Sequence, residues 1–440
     1  MLKNLLLIVS LLISFLIQGQ NQFQWNTKNS KIKIPFKQIN NLIFIKVLVN
    51  DIPLTFLLDT GVAETVLFSL EETDHVKFFN VEKTMLKGLG NEDAITALRS
   101  SGNTLKISDK LIDPSHDVLI ILEEDINFST MVGIPVNGIL GYHFFKDFLI
   151  EIDYDRKAIF VYENKEKYRN KISRRYQEFP ISIEDKKPYL KAKAVLSDKT
   201  ITAKLLVDVG NSDALWLFEN DDITVQIPNF EDFLGRGFSG DIFGKRARIS
   251  KLSLDTFQLE NPIVAFPDSI SIKNVKLVPD RVGSIGAEIL RRFNIVFDYA
   301  SNSMYLKKNG DYTDAFSFNM SGLEIHHKGK QWIPKPVEIN RTKITFQSGE
   351  TAATQTTSLA LEFKLKPLYR IANVRTNSPA DFAGLKKDDM LVSINKKPAY
   401  LYSLQQINAL LKSKEGEKIK MEVERNGQII ATEFVLKKIL

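Results

Sequence analysis

The 440-residue chain has no cysteine. That excludes disulfides, thiolate metal sites, a cysteine nucleophile and a lipid-modified cysteine. Histidine is scarce, with five residues scattered apart from His326-His327, and no metal-ligand spacing arises. An excess of one charge is also missing: 59 basic and 53 acidic residues leave a net +6. The surplus is spread along the chain without a basic stripe, which argues against a nucleic-acid partner. After the N-terminus no apolar run is long enough to span a membrane.

The N-terminus itself differs. Lys3 supplies a positive start, Leu5 to Ile17 is apolar apart from Ser10 and Ser14, and Gln18-Gly19-Gln20 offers small and polar residues. This pattern predicts a signal peptide over 1–19 and export to the periplasm, the cell envelope or the medium. The apolar stretch is shorter than the ~20 residues of a membrane span, with an uncleaved anchor as the alternative. A chain this large can be exported without disulfides in a bacterial envelope.

What is present is an ordinary globular composition, 44% hydrophobic and 25% charged, with length for two or three domains. One stretch organises it. The apolar run Leu54-Thr55-Phe56-Leu57-Leu58 enters Asp59-Thr60-Gly61, and apolar residues resume at Val66-Leu67-Phe68. A carboxylate at the mouth of a buried strand is costly unless it is hydrogen-bonded or does chemistry. The stretch recurs as Leu205-Leu206-Val207-Asp208-Val209-Gly210, followed by Leu215-Trp216-Leu217-Phe218.

The recurrence extends further. Gly138, Gly141, Phe148, Asp153 and Tyr154 return as Gly283, Gly286, Phe293, Asp298 and Tyr299, all shifted by 145 positions. Asp59 and Asp208 differ by 149. Gly88 and Gly90 follow the first Asp at about the distance at which Gly235 and Gly237 follow the second. Those glycines permit mobile hairpin tips or plain turns. In each half an alternating strand precedes the Asp strand. Asn50-Asp51 marks the first hairpin turn and Ser197 to Lys199 the second. A repeat this long predicts two structural units. On a two-fold axis the carboxylates of Asp59 and Asp208 would meet and could not both ionise cheaply. One would act as base and the other as acid about a single water, with no metal or cofactor required.

Residues from about 30 to 310 resemble a bacterial two-lobed aspartyl protease of the retropepsin and pepsin type. The resemblance implies a mainly β fold with two homologous acid-protease β-barrel lobes, 20–165 and 179–312, joined by 166–178. It implies Asp59 and Asp208 as the catalytic pair. Thr60, Gly61, Val209, Gly210 and Asn211 would shape the loops, and Gly88, Gly90, Gly235 and Gly237 would mark flap tips. The later strands Ile139-Leu140-Gly141 and Ser284-Ile285-Gly286 would thread behind the loops. The substrate would be a polypeptide. Because one chain carries both motifs, a monomer is expected. Two departures stand out: Val209 has the shape of threonine without its hydroxyl, and Val62 replaces a small or hydroxyl residue. Asn211, after the second glycine, keeps a group able to hydrogen-bond a carboxylate.

The C-terminal third reads differently. Tyr369 to Val374 is a strand pattern, and Ser378 to Leu385 reads as a short helix with Ser378 as N-cap and Pro379 at N1. Ser403 to Lys412 is an amphipathic helix, and Ile419 to Arg425 with Gln428 to Leu436 reads as a hairpin across Asn426-Gly427. The Ser378-Pro379-Ala380 and Ala383-Gly384-Leu385 pattern resembles a PDZ domain of the bacterial envelope-protease kind, α+β, over 318–440 with an insertion at about 326–358. The resemblance implies that Ser321, Gly322, Leu323 and Ile325 belong to the loop and strand that hold a peptide C-terminus beside the Ser403 helix. The expectation for the whole is an exported aspartic endopeptidase. The alternative is a non-catalytic peptide-binding scaffold of the same fold.

Overall fold

The computed structural model describes residues 22–68, 70, 76–86, 88–90, 95–122, 128–163, 166–197, 199–273, 277–347 and 350–440, with side chains described outside 338–359. The expected signal segment lies outside the described residues. The protein is mainly β and divides into two compact units. One takes Ile134–Phe318 with the chain before Thr130 and the last two residues; the other takes Asn319–Lys438 with Thr130–Gly133.

In the first unit, Asn50 and Asp51 both adopt positive φ, 48° and 68°. That conformation suits the tight turn joining Leu42–Val49 to Ile52–Leu58. Leu54 to Leu58 are all buried, so this strand reads as a continuous apolar run, as expected when both faces are covered. Gly138–Leu140 runs parallel to it and antiparallel to Thr65–Leu67. The second half repeats the wiring. Thr200–Asp208 pairs antiparallel with Lys187–Val195 and parallel with Arg281–Gly286, which lies antiparallel to Leu215–Leu217. A Cβ on Gly141 would lie 2.1 Å from the Val62 carbonyl oxygen, and one on Gly286 would lie 2.2 Å from that of Asp213. Each glycine thus marks the same close crossing behind an Asp loop.

A six-stranded sheet joins the two halves. At its centre Leu149–Asp153 pairs antiparallel with Phe293–Asp298, with Ile150 opposite Phe297 and Ile152 opposite Ile295. Adding the repeat offset of 145 to 150 and 152 gives 295 and 297, so the register maps onto itself. The sequence repeat is therefore a spatial two-fold. Phe144, Phe145, Phe293 and Phe297 are fully buried against this sheet's core. The charged connection contains a helix, Glu166–Ser173, whose Arg169 Nε donates to buried Asp298 Oδ2 at 2.7 Å.

The second unit is a six-stranded sheet with two short helices and a 3-10 turn. It departs from the expected insertion. Leu323–Gln347 and Glu350–Val374 form one continuous hairpin, so 326–358 prolongs two strands rather than interrupting them. Trp332 lies opposite Leu365 and Pro334 opposite Phe363, two apolar cross-strand pairs that favour this register, while Ile333 faces Lys364. The helix Leu404–Leu411 starts with a capping box between Ser403 and Gln406. Among the described residues no helix is long and apolar enough to cross a membrane.

Candidate functional site

The two Asp loops meet on the two-fold. Each carboxylate is fixed by its own loop: Gly61 N donates to Asp59 Oδ1 at 2.6 Å, and Gly210 N donates to Asp208 Oδ1 at 3.0 Å. Each glycine also packs on the opposite carboxyl. A Cβ on Gly210 would fall 2.1 Å from Asp59 Cγ, and one on Gly61 would fall 3.0 Å from Asp208 Oδ2. Thr60 is fully buried and bridges the loops. Its Oγ1 donates to the Val207 carbonyl at 2.6 Å and accepts from Val209 N at 3.0 Å. Buried Val209 returns no such bond. Asn211 does not reach a carboxylate of the pair; its Oδ1 accepts from Asp213 N at 3.0 Å within its own loop.

The carboxyls of Asp59 and Asp208 hydrogen-bond to each other. Burial pushes Asp59 well above the ordinary carboxylate range, and the neighbouring Asp208 charge adds to this. Burial raises Asp208 as well, but the Arg281 guanidinium and the Gly210 amide pull it back. Both carboxyls are thus raised, Asp59 further than Asp208, and the two titrate as one pair.

Two acids missed in the sequence reading hold the loops from behind. Glu64 and Asp213 each lie five residues after their Asp. Glu64 pairs with His143 Nε2 at 3.4 Å and Lys186 Nζ at 3.0 Å. The His143 hydrogen bond, with help from Lys186, holds its carboxyl down at about 2. Asp213 accepts from Arg246 Nη1 at 2.8 Å and from Trp216 Nε1 at 2.8 Å. The equal spacing from each Asp was the signal available in the sequence. Behind the first loop, fully buried His116 links Thr65 Oγ1 and Asp113 Oδ2, both at 2.7 Å.

The glycine candidates separate. Gly88 and Gly90 lie between the strands Glu82–Leu86 and Ile95–Ser108. Gly235 sits at a bulge within the strand Asn229–Gly237, and the turn itself is Phe238–Ser239. So Gly235 bends a strand instead of forming a tip, while Gly237 borders the tip. The two tips touch: Ser239 N donates to the Leu89 carbonyl at 2.9 Å, and Gly88 N donates to Ser239 Oγ at 3.2 Å. Leu89 packs on a cluster from the other half that includes Trp216, Phe218, Leu234 and Ile242.

A separate cavity of about 550 Å³ is lined by Glu151, Asp153, Tyr162, Tyr168, Arg175 and Tyr176 among others, and by neither Asp of the pair. Its acids are already engaged: Glu151 accepts from both Tyr162 and Tyr176, and Asp153 from Arg156 N. The pair of Asp residues is the better candidate for chemistry. Among the described residues no group of histidine and acidic side chains could hold a metal.

In the second unit the donors of the candidate carboxylate loop are taken. Asn319 Oδ1 accepts from Ser321 N at 3.0 Å and Gly322 N at 3.3 Å, while Ser321 Oγ accepts from Leu323 N at 3.0 Å. Leu323 and Ile325 are buried. The strand they begin lies at the edge of its sheet, with the helix Leu404–Leu411 packed against it.

Residues 370–425 match the PDZ domain family. The match lies within the second unit, which therefore contains a PDZ domain. No curated protein matches the chain.

Proposed function

We propose that the first unit is a two-lobed aspartic endopeptidase and that the PDZ domain captures peptide or a partner for it. The observation that carries this reading is the hydrogen-bonded Asp59–Asp208 pair, held by two loops related by the internal two-fold. Such a pair supplies base and acid at one point. Ionised Asp208 takes a proton from a water whose oxygen attacks the peptide carbonyl carbon. Protonated Asp59 gives its proton to the carbonyl oxygen, so the tetrahedral species is a neutral diol. Asp208 then passes its proton to the amide nitrogen as the C–N bond breaks, and a diol hydroxyl returns a proton to Asp59. Atoms and charge balance without a metal or a covalent intermediate.

The N-terminal Lys3 and Leu5–Ile17 pattern supports export. One observation favours the rival, a non-catalytic peptide-binding scaffold: Val209 leaves the cross-loop grip with one hydroxyl instead of two. The pH dependence of kcat/KM for an unfolded protein substrate separates them. A shared-proton pair gives a bell across acid to neutral pH. A scaffold gives no hydrolysis at any pH.

A further inference from the structure

The two halves are not equivalent around their Asp residues. Counting two residues on from the Tyr189–Leu206 pair puts Lys187 opposite Asp208. By the period of a strand these four residues share one face of the sheet. The strand on the other side of Thr200–Asp208 begins with Arg281. The Arg281 guanidinium lies 5.9 Å from the Tyr189 ring and 5.4 Å from the Phe218 ring. Arg281 stands opposite Lys204, with Gly286 beside Asp208, but its guanidinium reaches Tyr189, and its charge and that of Lys187 both act on Asp208. In the first half the same count from the Phe44–Leu57 pair puts Leu42 opposite Asp59, and the offset of 145 places Val136 where Arg281 stands. Both counterparts are apolar.

Neighbouring cations in this half have carboxylate partners. Lys204 pairs with Glu184 at 2.8 Å, and Arg246 pairs with Asp213 and Asp232. Among the described residues neither Lys187 nor Arg281 forms an ion pair; Arg281 Nε donates to the Gly283 carbonyl at 3.0 Å and its guanidinium bonds Tyr189. Both are half-buried. Asp208 acts on both cations, yet burial still holds Lys187 and Arg281 below their ordinary values, and an incoming anion offsets that cost.

We propose that Lys187 and Arg281 form a carboxylate-binding subsite beside Asp208, so that the enzyme selects peptides with an acidic group next to the bond it cleaves. This rests on the peptidase reading. The rings of Tyr189 and Phe218 hold the guanidinium in place, and the carboxylate would come from a Glu or Asp side chain or from the peptide's C-terminus.

The test compares peptides that differ only by Glu or Gln beside the scissile bond, each with a free and an amidated C-terminus, using the full chain. Wild type should cleave the Glu peptide about tenfold or more faster in kcat/KM than its Gln twin. Lys187→Gln and Arg281→Gln should each bring that ratio toward one. If only the free C-terminus confers the advantage, the subsite reads a chain end. Equal rates for all four peptides in wild type would overturn the subsite while leaving the peptidase standing. Binding of the same peptides with a non-cleavable hydroxyl isostere, measured by calorimetry, needs no turnover. A Glu preference there that is lost in both variants supports the subsite even in a chain that cleaves nothing, and equal Glu and Gln affinities overturn it.

Discussion

Thr60 holds the backbone around Val209, and Val209 has nothing to give back. The Thr60 hydroxyl satisfies two buried backbone groups of the second loop, Val207 O and Val209 N. Thr60→Val would leave both unpaired, at a cost of about 1–3 kcal/mol. The measurement is the urea midpoint of the transition belonging to the first unit. Val209→Thr adds the reciprocal hydroxyl and should keep or raise both midpoint and activity.

Asp59 and Glu64 respond to pH with opposite signs. Asp59 in the folded chain is raised well above 3.8, mainly by burial. The folded state binds its proton more tightly, so this contribution to stability is present below 3.8 and is lost as pH rises through the folded value. Asp59→Asn should therefore raise the melting temperature at pH 7, with the gain closing near pH 3.5. Glu64 is lowered from 4.5 to about 2, first by its His143 hydrogen bond. Its contribution is present above 4.5 and is lost as pH falls through about 2. Glu64→Gln should lower the melting temperature at pH 7, with the deficit closing toward pH 2. Thermal melts of both variants across that range check the two signs.

The loop glycines are unequal. An alanine Cβ at position 210 would overlap Asp59 Cγ at 2.1 Å, whereas one at 61 would stand 3.0 Å from Asp208 Oδ2. Gly210→Ala should abolish hydrolysis, and Gly61→Ala should leave a measurable fraction. Steady-state kinetics on one peptide gives the order.

In the second unit, Asn319 accepts from the Ser321 and Gly322 amides, the donors that the proposed carboxylate loop would offer a peptide. Asn319→Ala should free Ser321 N and Gly322 N and strengthen binding of free-carboxylate peptides over amidated ones. Titration of the full chain with both peptide forms reads this directly.

The repeat was legible because its landmarks keep one offset, and the self-mapping register of Ile150–Phe297 and Ile152–Ile295 is that offset in space. The turns at Asn50-Asp51 and Asn426-Gly427 were legible because positive φ at both centres selects those residues. Lys187 and Arg281 were not, since strand pairing alone brings residues so distant in sequence to one carboxylate. The bulge at Gly235 was hidden for a related reason: a glycine in a strand and a glycine in a turn look alike until register is known. The long hairpin Leu323–Gln347 with Glu350–Val374 was missed because its polar, threonine-rich stretch carries little apolar alternation.

The proposed function rests on Asp59 and Asp208 hydrolysing peptide bonds together. The most direct measurement is cleavage of an unfolded protein by wild type, Asp59→Asn and Asp208→Asn across acid to neutral pH, with circular dichroism confirming that each is folded. Wild type should turn substrate over and neither variant should. Wild-type rates in Asp208→Asn, or an inert wild type at every pH, would contradict it.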